Sequence, residues 1–366
     1  MNEQEQTIPL VAKAYEACVP LFTTIELTLG CNLRCVHCYN FDRSVPRPKE
    51  AKGNELTPAE IKQLIDELAE AGGLEISFSG GEALLHPHLD EFVRYARQQM
   101  FAVRLKSNGM LLTPERVARL ADAGVYAVDV SLYGASGATH DAFTTLEGSF
   151  ERTVAGVENA VAGGFKVALS FCLTRGNASE IPEMIALSER LGVTYTLDPQ
   201  LTARYDGTTS SLDHRVDAET LEALYRGPLR AALGGPPCNP DREMQCSCAR
   251  AVCGVSATGE IYPCIGAPVP SGNLRDASFS HIWRHSPALN RIRGLEAQDF
   301  SACQACPDRP FCRRSSGVVY TNTGDYTGPE PWTCMEAAVI HKLYDEAQGA
   351  LDATPPEASN GRLGKY

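Results

Sequence analysis

Extended and amphipathic segments alternate along residues 23–197, and this alternation limits the folds that are open to the chain. Six extended runs are rich in apolar and β-branched residues, and the segments between them carry apolar residues at helical spacing. Short connections between such elements favour a parallel sheet covered by helices. The predicted strands are residues 23–29, Leu74–Ser79, Ala102–Lys106, Tyr126–Leu132, Phe165–Leu173 and Val193–Leu197.

The predicted helices fill the gaps between these strands. Thr57, Thr113 and Ser179 are typical N-cap residues, and the glycines that follow the amphipathic runs are typical helix stops. The predicted helices are Thr57–Gly72, His88–Gln99, Pro114–Ala123, Ser149–Ala162 and Ser179–Arg190. The sequence therefore predicts an α/β fold, with the loops after the strands gathered at one edge of the sheet.

Three cysteines follow the first predicted strand at the spacing C-x3-C-x2-C, namely Cys31, Cys35 and Cys38. Thiolates are soft ligands that suit zinc or iron–sulfur clusters. A structural zinc site usually closes with four ligands, whereas three cysteines on one loop can hold three irons of a [4Fe–4S] cluster and leave the fourth iron open. His37 lies between these cysteines, and we interpret it as a spacer.

Composition narrows the class of protein further. The net charge of −12 argues against a nucleic-acid partner, and the polar start of the chain lacks the features of a signal peptide. No apolar run approaches the ~20 residues of a membrane-spanning helix. The sequence thus predicts a cytoplasmic protein without a membrane or nucleic-acid partner, in which fourteen cysteines indicate metal chemistry rather than disulfides.

The cysteine triad and the aromatic Tyr39 after it resemble the radical S-adenosylmethionine (SAM) superfamily. This resemblance implies a partial (β/α)6 barrel of the TIM type. It also implies a [4Fe–4S] cluster on the triad, whose open iron binds SAM. Reductive cleavage of SAM would then give methionine and a 5′-deoxyadenosyl radical that removes hydrogen from a substrate.

Short polar segments after strands two to five match the superfamily's SAM-contacting segments, although each taken alone is also a plausible turn. Two departures from the family pattern stand out: Tyr133 replaces a commoner Asp, and Thr144-Thr145 stands where many relatives carry Arg. By resemblance, the residues that bind SAM are Tyr39, Gly80, Gly81, Glu82, Ser107, Asn108, Ser131 and Asn177.

A second field of cysteines fills the last third of the chain. Its spacing resembles the SPASM extension of peptide-modifying radical SAM enzymes, which carries two auxiliary [4Fe–4S] clusters. By resemblance, the ligands of these clusters are Cys248, Cys253, Cys264, Cys303, Cys306, Cys312 and Cys334, and Cys246 is a further candidate.

One ligand of this pattern is missing, because Ser316 stands where the family has a cysteine four residues after Cys312. By resemblance, the missing ligand belongs to the first auxiliary cluster, and the second has its complete set. Either Cys246 fills the vacancy, or one iron remains open to a substrate thiolate. Two structural zinc sites are a further alternative for this field. The remaining thiols, which we interpret as ordinary ones, are Cys18, Cys172 and Cys238.

These patterns divide the chain into five parts. The last 15 or so residues are rich in Pro, Gly, Ser and Asn, which is typical of a flexible tail. The parts are an N-terminal arm (1–22), the barrel (23–207), a linker with a helix around Ala218–Ala232 (208–237), the SPASM domain (238–350) and the tail (351–366).

The leading hypothesis is a peptide maturase that forms a thioether or carbon–carbon cross-link in a ribosomally made peptide. Since the N-terminal arm is too short for a leader-recognition domain, we expect a separate small recognition protein, and an electron donor such as flavodoxin or ferredoxin. Ile265 occupies the place of an Asp found in relatives that oxidise Ser or Cys, which disfavours sulfatase maturation.

Two other hypotheses stay open, a tetrapyrrole-tailoring enzyme and a noncatalytic metal-binding scaffold. No acid or base can be assigned from the sequence. The candidates that would face the barrel mouth are Tyr133, Asp198, Arg204 and Asp206.

Overall fold

An eight-stranded sheet forms the centre of the computed structural model, which describes residues 3–45, 53–229 and 246–352. The strands lie in the order β6-β5-β4-β3-β2-β1-β7-β8. All neighbouring strands are parallel except β7 and β8, which are antiparallel. The strands are β1 Phe22–Glu26, β2 Glu75–Ser79, β3 Ala102–Ser107, β4 Val125–Leu132, β5 Lys166–Cys172, β6 Thr194–Asp198, β7 Val252–Val255 and β8 Ile261–Tyr262.

The six predicted strands are confirmed, with ends that differ by a few residues at most. The first six strands run in sequence order across the sheet, each linked to the next by at least one helix, as expected for a partial (β/α)6 barrel. The α-helices are Glu3–Ala17, Pro58–Glu70, Leu89–Gln98, Pro114–Ala123, Gly137–Thr144, Ser149–Ala162, Ile181–Leu191, Ala218–Arg226, Phe279–His285, Pro287–Arg293, Ser301–Gln304, Ser316–Thr323 and Pro331–Asp352.

Local capping explains where two of these helices begin. Thr57 accepts a hydrogen bond from the Glu60 N–H and donates its own N–H to the Glu60 carboxylate, which forms a capping box. Thr113 likewise accepts from the N–H of Arg116. The prediction for Ser179 is wrong, because a 3-10 turn at Ala178–Glu180 precedes the helix and moves its start to Ile181.

Apolar side chains fill the space between the sheet and its helices, whereas polar side chains fill the inside of the barrel. At the bottom of the barrel, Arg104 forms ion pairs with Glu75 and Asp129 and donates to the hydroxyl of Tyr126. The largest fully buried side chains of the apolar layer include Ile25, Leu27, Ile61, Leu64, Phe78, Phe92 and Phe101.

The sheet continues from the barrel into the cysteine-rich part of the chain. β7 pairs with β1, with Thr23 opposite Cys253 and Ile25 opposite Val255. The strand that carries Cys253 is therefore built directly onto the strand that leads to the triad. The division of the chain into five parts stays a prediction; residues 230–245, with Cys238 and the end of the linker helix, lie outside the described residues.

Candidate cluster and cofactor site

A cavity of about 530 Å³ opens at the C-terminal edge of the barrel strands. Five successive strands each place a polar side chain at its wall, as expected where the ends of parallel strands meet. These wall residues, from β2 to β6, are Ser79, Ser107, Ser131, Cys172 and Asp198.

The three cysteines of the triad loop line this cavity together. Burial raises the pKa of the Cys31 and Cys35 thiols, and the other thiolates of the triad add to the shift. Buried thiolates beside one another are stable only with a compensating cation. Three soft sulfur donors on one loop beside a polar cavity thus fit a [4Fe–4S] cluster with three protein ligands.

Thr144 and Thr145, which stand where many relatives carry Arg, contact the triad loop. The N–H groups of Arg34 and Val36 donate to the carbonyl oxygens of Thr144 and Phe143, each at 3.1 Å. The hydroxyl of Thr145 donates to the carbonyl of Arg34 at 3.2 Å. These contacts fix the loop between Cys31 and Cys38 against the helix Gly137–Thr144.

Two glycines after β2 allow the second loop to touch the triad loop. A Cβ atom on Gly81 would collide with the carbonyl oxygen of Gly30, and one on Gly80 would collide with that of Thr28. Gly80 also has φ +132°, which an L side chain rarely adopts. Both glycines line the cavity, so their backbone is open to a ligand.

Glu82 links the loops after β2 and β3 instead of facing the cavity. Its carboxylate accepts hydrogen bonds from the hydroxyl of Ser107 and the N–H of Asn108, both at 2.8 Å, and from the N–H of Leu84 at 3.0 Å. Burial raises its pKa. Asn108 in turn donates to the side-chain oxygen of Asn32 at 2.7 Å, within the triad loop.

Two residues that the sequence analysis did not single out contact the triad segment. The hydroxyl of Tyr39 donates to the buried carboxylate of Glu26 at 2.7 Å. Arg43 donates from Nε to the Cys38 sulfur at 3.1 Å and from Nη1 to the carbonyl of Leu29 at 2.7 Å. A charged residue inside an apolar strand was the one signal for Glu26, and no pattern in the sequence marked Arg43.

The structure separates the four acid–base candidates. Tyr133 and Asp198 line the cavity; Tyr133 is buried and Asp198 is exposed, and partial loss of hydration raises the pKa of both. Arg204 does not, because its guanidinium is buried against the carbonyl of Val36 and the hydroxyl of Ser210. Asp206 lies on the surface, where it accepts from Thr208. The expectation that Arg204 and Asp206 face the mouth is therefore wrong.

Asn177, which was expected to bind SAM, instead stabilises the turn that follows β5. Its side chain donates to the carbonyl oxygens of Cys172 at 2.8 Å and Tyr133 at 3.1 Å, and accepts from the N–H of Thr174 at 2.8 Å. Both of its N–H groups are used within the protein, and it is absent from the cavity wall. Of the eight residues expected to bind SAM, the cavity wall includes Tyr39, Gly80, Gly81, Ser107, Asn108 and Ser131.

The second cysteine field forms two separate groups. In one group, Cys248 is hydrogen-bonded to Cys246 and Cys264, and the charge of Cys264 also acts on Cys253. In the other group, burial raises the pKa of Cys312 to about 11, with further contributions from neighbouring thiolates. The members of this other group are Cys303, Cys306, Cys312 and Cys334.

The first of these groups adjoins the cavity. Ile265 and Gly266, which follow Cys264, line the cavity wall opposite the barrel strands. Among the described residues, no group of His, Cys, Asp and Glu side chains converges as a single metal ion would require. The sets of four sulfurs fit multi-iron clusters by donor type and number.

This fold and these cysteine sets define a class of metalloenzyme, and sequence comparison agrees. Residues 25–187 match the radical SAM superfamily, and residues 246–307 match SPASM, an iron-sulfur cluster-binding domain. The chain belongs to the radical SAM superfamily of enzymes and carries a SPASM domain. Its cofactors are SAM, the [4Fe–4S] cluster that binds SAM, and auxiliary [4Fe–4S] clusters.

Two curated relatives resemble nearly the whole chain. An AdoMet-dependent heme synthase from Methanosarcina barkeri is 31% identical over 358 residues, which cover 86% of this chain and 96% of that protein. Mycofactocin maturase MftC from Mycolicibacterium smegmatis is 30% identical over 354 residues, covering 90% of this chain and 87% of that protein.

A solved structure shares the fold. Streptococcus suis SuiB bound to its precursor peptide SuiA superposes with a TM-score of 0.66 at 16% identity, covering 91% of this chain and 82% of that one. In the part of our chain that the structure describes, every helix is too short or too polar to cross a bilayer.

Proposed function

We propose that this enzyme modifies a ribosomally synthesised peptide by forming a thioether or carbon–carbon cross-link. SAM and its cluster, when bound, supply the hydrogen-abstracting radical chemistry of the superfamily. The protein's part is to hold one substrate side chain in the cavity and to exclude water from it. One similar protein, MftC, is named a maturase, and another, SuiB, was solved with a precursor peptide.

The charge of the cavity carries this proposal. The charged side chains of its wall are two cations, Arg43 and Lys106, and two acids, Asp129 and Asp198. Arg43 is occupied by Cys38 and Leu29, and Asp129 is paired with Arg104, so Lys106 and Asp198 are the charged side chains of the described wall that are left to meet a substrate. One cation beside one acid suits a peptide side chain better than a macrocycle that carries several carboxylates.

A tetrapyrrole substrate is the second candidate, because a relative with 31% identity over 96% of its length is named a heme synthase. A cavity of about 530 Å³ that also holds SAM has room for only one side chain of such a macrocycle. Its ring would then lie outside the barrel mouth.

One experiment distinguishes these functions. The reconstituted and reduced enzyme is incubated with SAM and either a precursor peptide encoded beside its gene or an iron coproporphyrin, and 5′-deoxyadenosine and substrate mass are measured. We expect 5′-deoxyadenosine and loss of a pair of hydrogens with the peptide alone. Turnover of the porphyrin alone would establish the second function, and no 5′-deoxyadenosine in either case would indicate a noncatalytic scaffold.

Asp198 and Asp206 provide a matched pair of variants. We propose Asp198 as the group that exchanges a proton with the bound substrate, since its carboxylate lies on the cavity wall at the end of β6. Asp198→Asn should lower peptide modification by about 100-fold while 5′-deoxyadenosine still forms. Asp206→Asn, on the surface, should modify the peptide at the normal rate; equal rates for both variants would contradict this role.

The same proposal assigns SAM contacts and partners. We place SAM against Tyr39, Gly80, Gly81, Ser107, Asn108 and Ser131, with Glu82 and Asn177 supporting their loops. We further propose a separate small peptide-recognition protein and a flavodoxin or ferredoxin as electron donor, in a cytoplasmic setting. Copurification with the neighbouring small proteins tests the first partner.

A further inference from the structure

The first auxiliary ligand set lacks the family's cysteine at position 316, and the structure shows what Ser316 does there. Its side chain is buried, and its hydroxyl accepts a hydrogen bond from Nη1 of Arg314 at 2.6 Å. Arg314 is itself fixed by the carbonyl of Tyr326 at 2.6 Å. The Ser316 oxygen thus faces a cation, which disfavours any role as a ligand to an iron.

The sulfur of another cysteine, Cys246, lies beside Ser316. The Cys246 sulfur accepts a hydrogen bond from the backbone N–H of Ser316, contacts the Cys248 thiol, and lies 3.9 Å from the hydroxyl of Tyr326. Cys246 and Ser316 are 70 residues apart in the sequence, so the fold alone brings them together.

The backbone next to Ser316 packs closely against the segment that follows Cys264. A Cβ atom on Gly317 would lie 2.6 Å from the carbonyl oxygen of Gly266, and Thr321 donates to that same oxygen at 3.4 Å. The N–H of Ala249 donates to the carbonyl of Pro263 at 2.8 Å, which joins the segments of Cys248 and Cys264. These contacts hold Ser316, whose N–H donates to Cys246, against the segment that follows Cys264.

We propose that Cys246 is the fourth thiolate of the first auxiliary cluster and replaces the cysteine lost at Ser316. All four irons of that cluster then have a protein ligand, together with Cys248, Cys253 and Cys264. A substrate thiol has no open iron to bind, so the substrate is positioned by the protein wall of the cavity. This inference goes beyond the proposed function and holds for a peptide or a tetrapyrrole alike.

The test is spectroscopic and needs no substrate. The triad is first removed by Cys31→Ala, Cys35→Ala and Cys38→Ala in the full chain, which leaves about eight irons in two auxiliary clusters. A cubane with only three thiolates loses an iron on mild oxidation and gives the electron paramagnetic resonance signal of a [3Fe–4S] cluster. We expect no such signal from this triple variant, which is the parent for the test. We expect the signal when Cys246→Ala is added to the parent.

Two further variants cover the remaining outcomes. Adding Ser316→Cys to the Cys246→Ala protein should abolish the [3Fe–4S] signal, or restore about four irons if Cys246→Ala removes the cluster altogether. Cys238→Ala is the matched control and should behave like the parent. The inference is overturned if the parent already gives the signal, if Cys246→Ala leaves the spectrum and iron content unchanged, or if Ser316→Cys restores nothing.

Discussion

At the scale of single side chains, the triad loop depends on residues outside the cysteine motif. Arg43 donates to the Cys38 sulfur and Glu26 accepts from Tyr39, which follows that cysteine. Hydrogen bonds to ligand sulfurs tune the reduction potential of an iron–sulfur cluster. The cysteine spacing can be read from the sequence, whereas these two contacts depend on how the backbone around the triad folds.

Removing the Arg43 guanidinium should lower the reduction potential of the SAM-binding cluster. A cationic donor stabilises the reduced, more negative cluster, so Arg43→Leu makes reduction harder. Anaerobic redox titration followed by electron paramagnetic resonance measures the shift, and Arg43→Lys, which keeps the charge, should shift the potential less. Identical potentials in all three proteins would show that Arg43 has only a structural role.

His140 should make the protein less stable in mild acid. Its ring is buried, Nδ1 accepts from the N–H of Tyr133 at 3.2 Å, and burial lowers its pKa to about 4. The unfolded residue has a pKa of about 6.5, so between these values the unfolded chain binds more protons. The stabilisation is complete above about pH 6.5 and is lost as the pH falls toward 4.

Between pH 7 and pH 5, the titration of His140 alone should lower the free energy of unfolding by about 2 kcal/mol. Urea unfolding of the wild type and of His140→Asn at the two pH values isolates it, because the amide oxygen of Asn can still accept from Tyr133 but does not titrate. Between these two pH values, the free energy of unfolding should fall by about 2 kcal/mol less in the variant than in the wild type. Equal losses would show that His140 does not control this pH dependence.

At the scale of elements, strands and helices were largely predictable because their signals are local: capping residues, glycine stops and apolar spacing. The helix Gly137–Thr144 was missed. It is short, and its start is held by Glu180, whose carboxylate accepts from the N–H of Ala135 and the hydroxyl of Ser136. Such a long-range brace has no signature in the sequence around the helix.

The contact between the loops after β1 and β2 should tolerate no side chain at Gly81. Gly81→Ala forces the Gly30 carbonyl away. We expect it to lower the free energy of unfolding by about 1–3 kcal/mol and to reduce the amount of iron bound by the triad. Gly176→Ala, in the loop after β5, meets its nearest atom at 3.7 Å and should change stability by less than about 0.5 kcal/mol. Denaturant unfolding and iron analysis of both variants test this difference, and equal behaviour would refute it.

At the scale of the whole molecule, the barrel and the cysteine-rich part share one sheet and several polar contacts. Besides the pairing of β1 with β7, the indole N–H of Trp283 donates to the carbonyl of Cys18 at 2.7 Å. Arg275 forms an ion pair with Glu60 at 2.9 Å. β1 is thus an interior strand of the sheet only when both parts are present.

We therefore expect the two parts to unfold together. Trp283→Phe removes one buried hydrogen bond and should lower the free energy of unfolding of the whole chain by about 1 kcal/mol. Far-ultraviolet circular dichroism should report the loss of structure and visible absorbance the loss of the auxiliary clusters, with the same shifted midpoint. Separate midpoints, or a shift in one signal alone, would show that the parts are independent.

The sequence by itself determined the order of the six barrel strands and of most helices between them, because these signals depend on neighbouring residues along the chain. The cysteine sets and the ligand missing at Ser316 are predictions from the resemblance to SPASM proteins. Only the tertiary structure decided that Cys246 lies beside Ser316, that Arg43 contacts Cys38 and that Arg204 is turned away from the cavity. The first and last of these outcomes depend on which distant segments pack against each other, and the contact of Arg43 with Cys38 depends on the path that the chain takes after the triad. Packing of this kind is set by the whole core, and no local spacing encodes it.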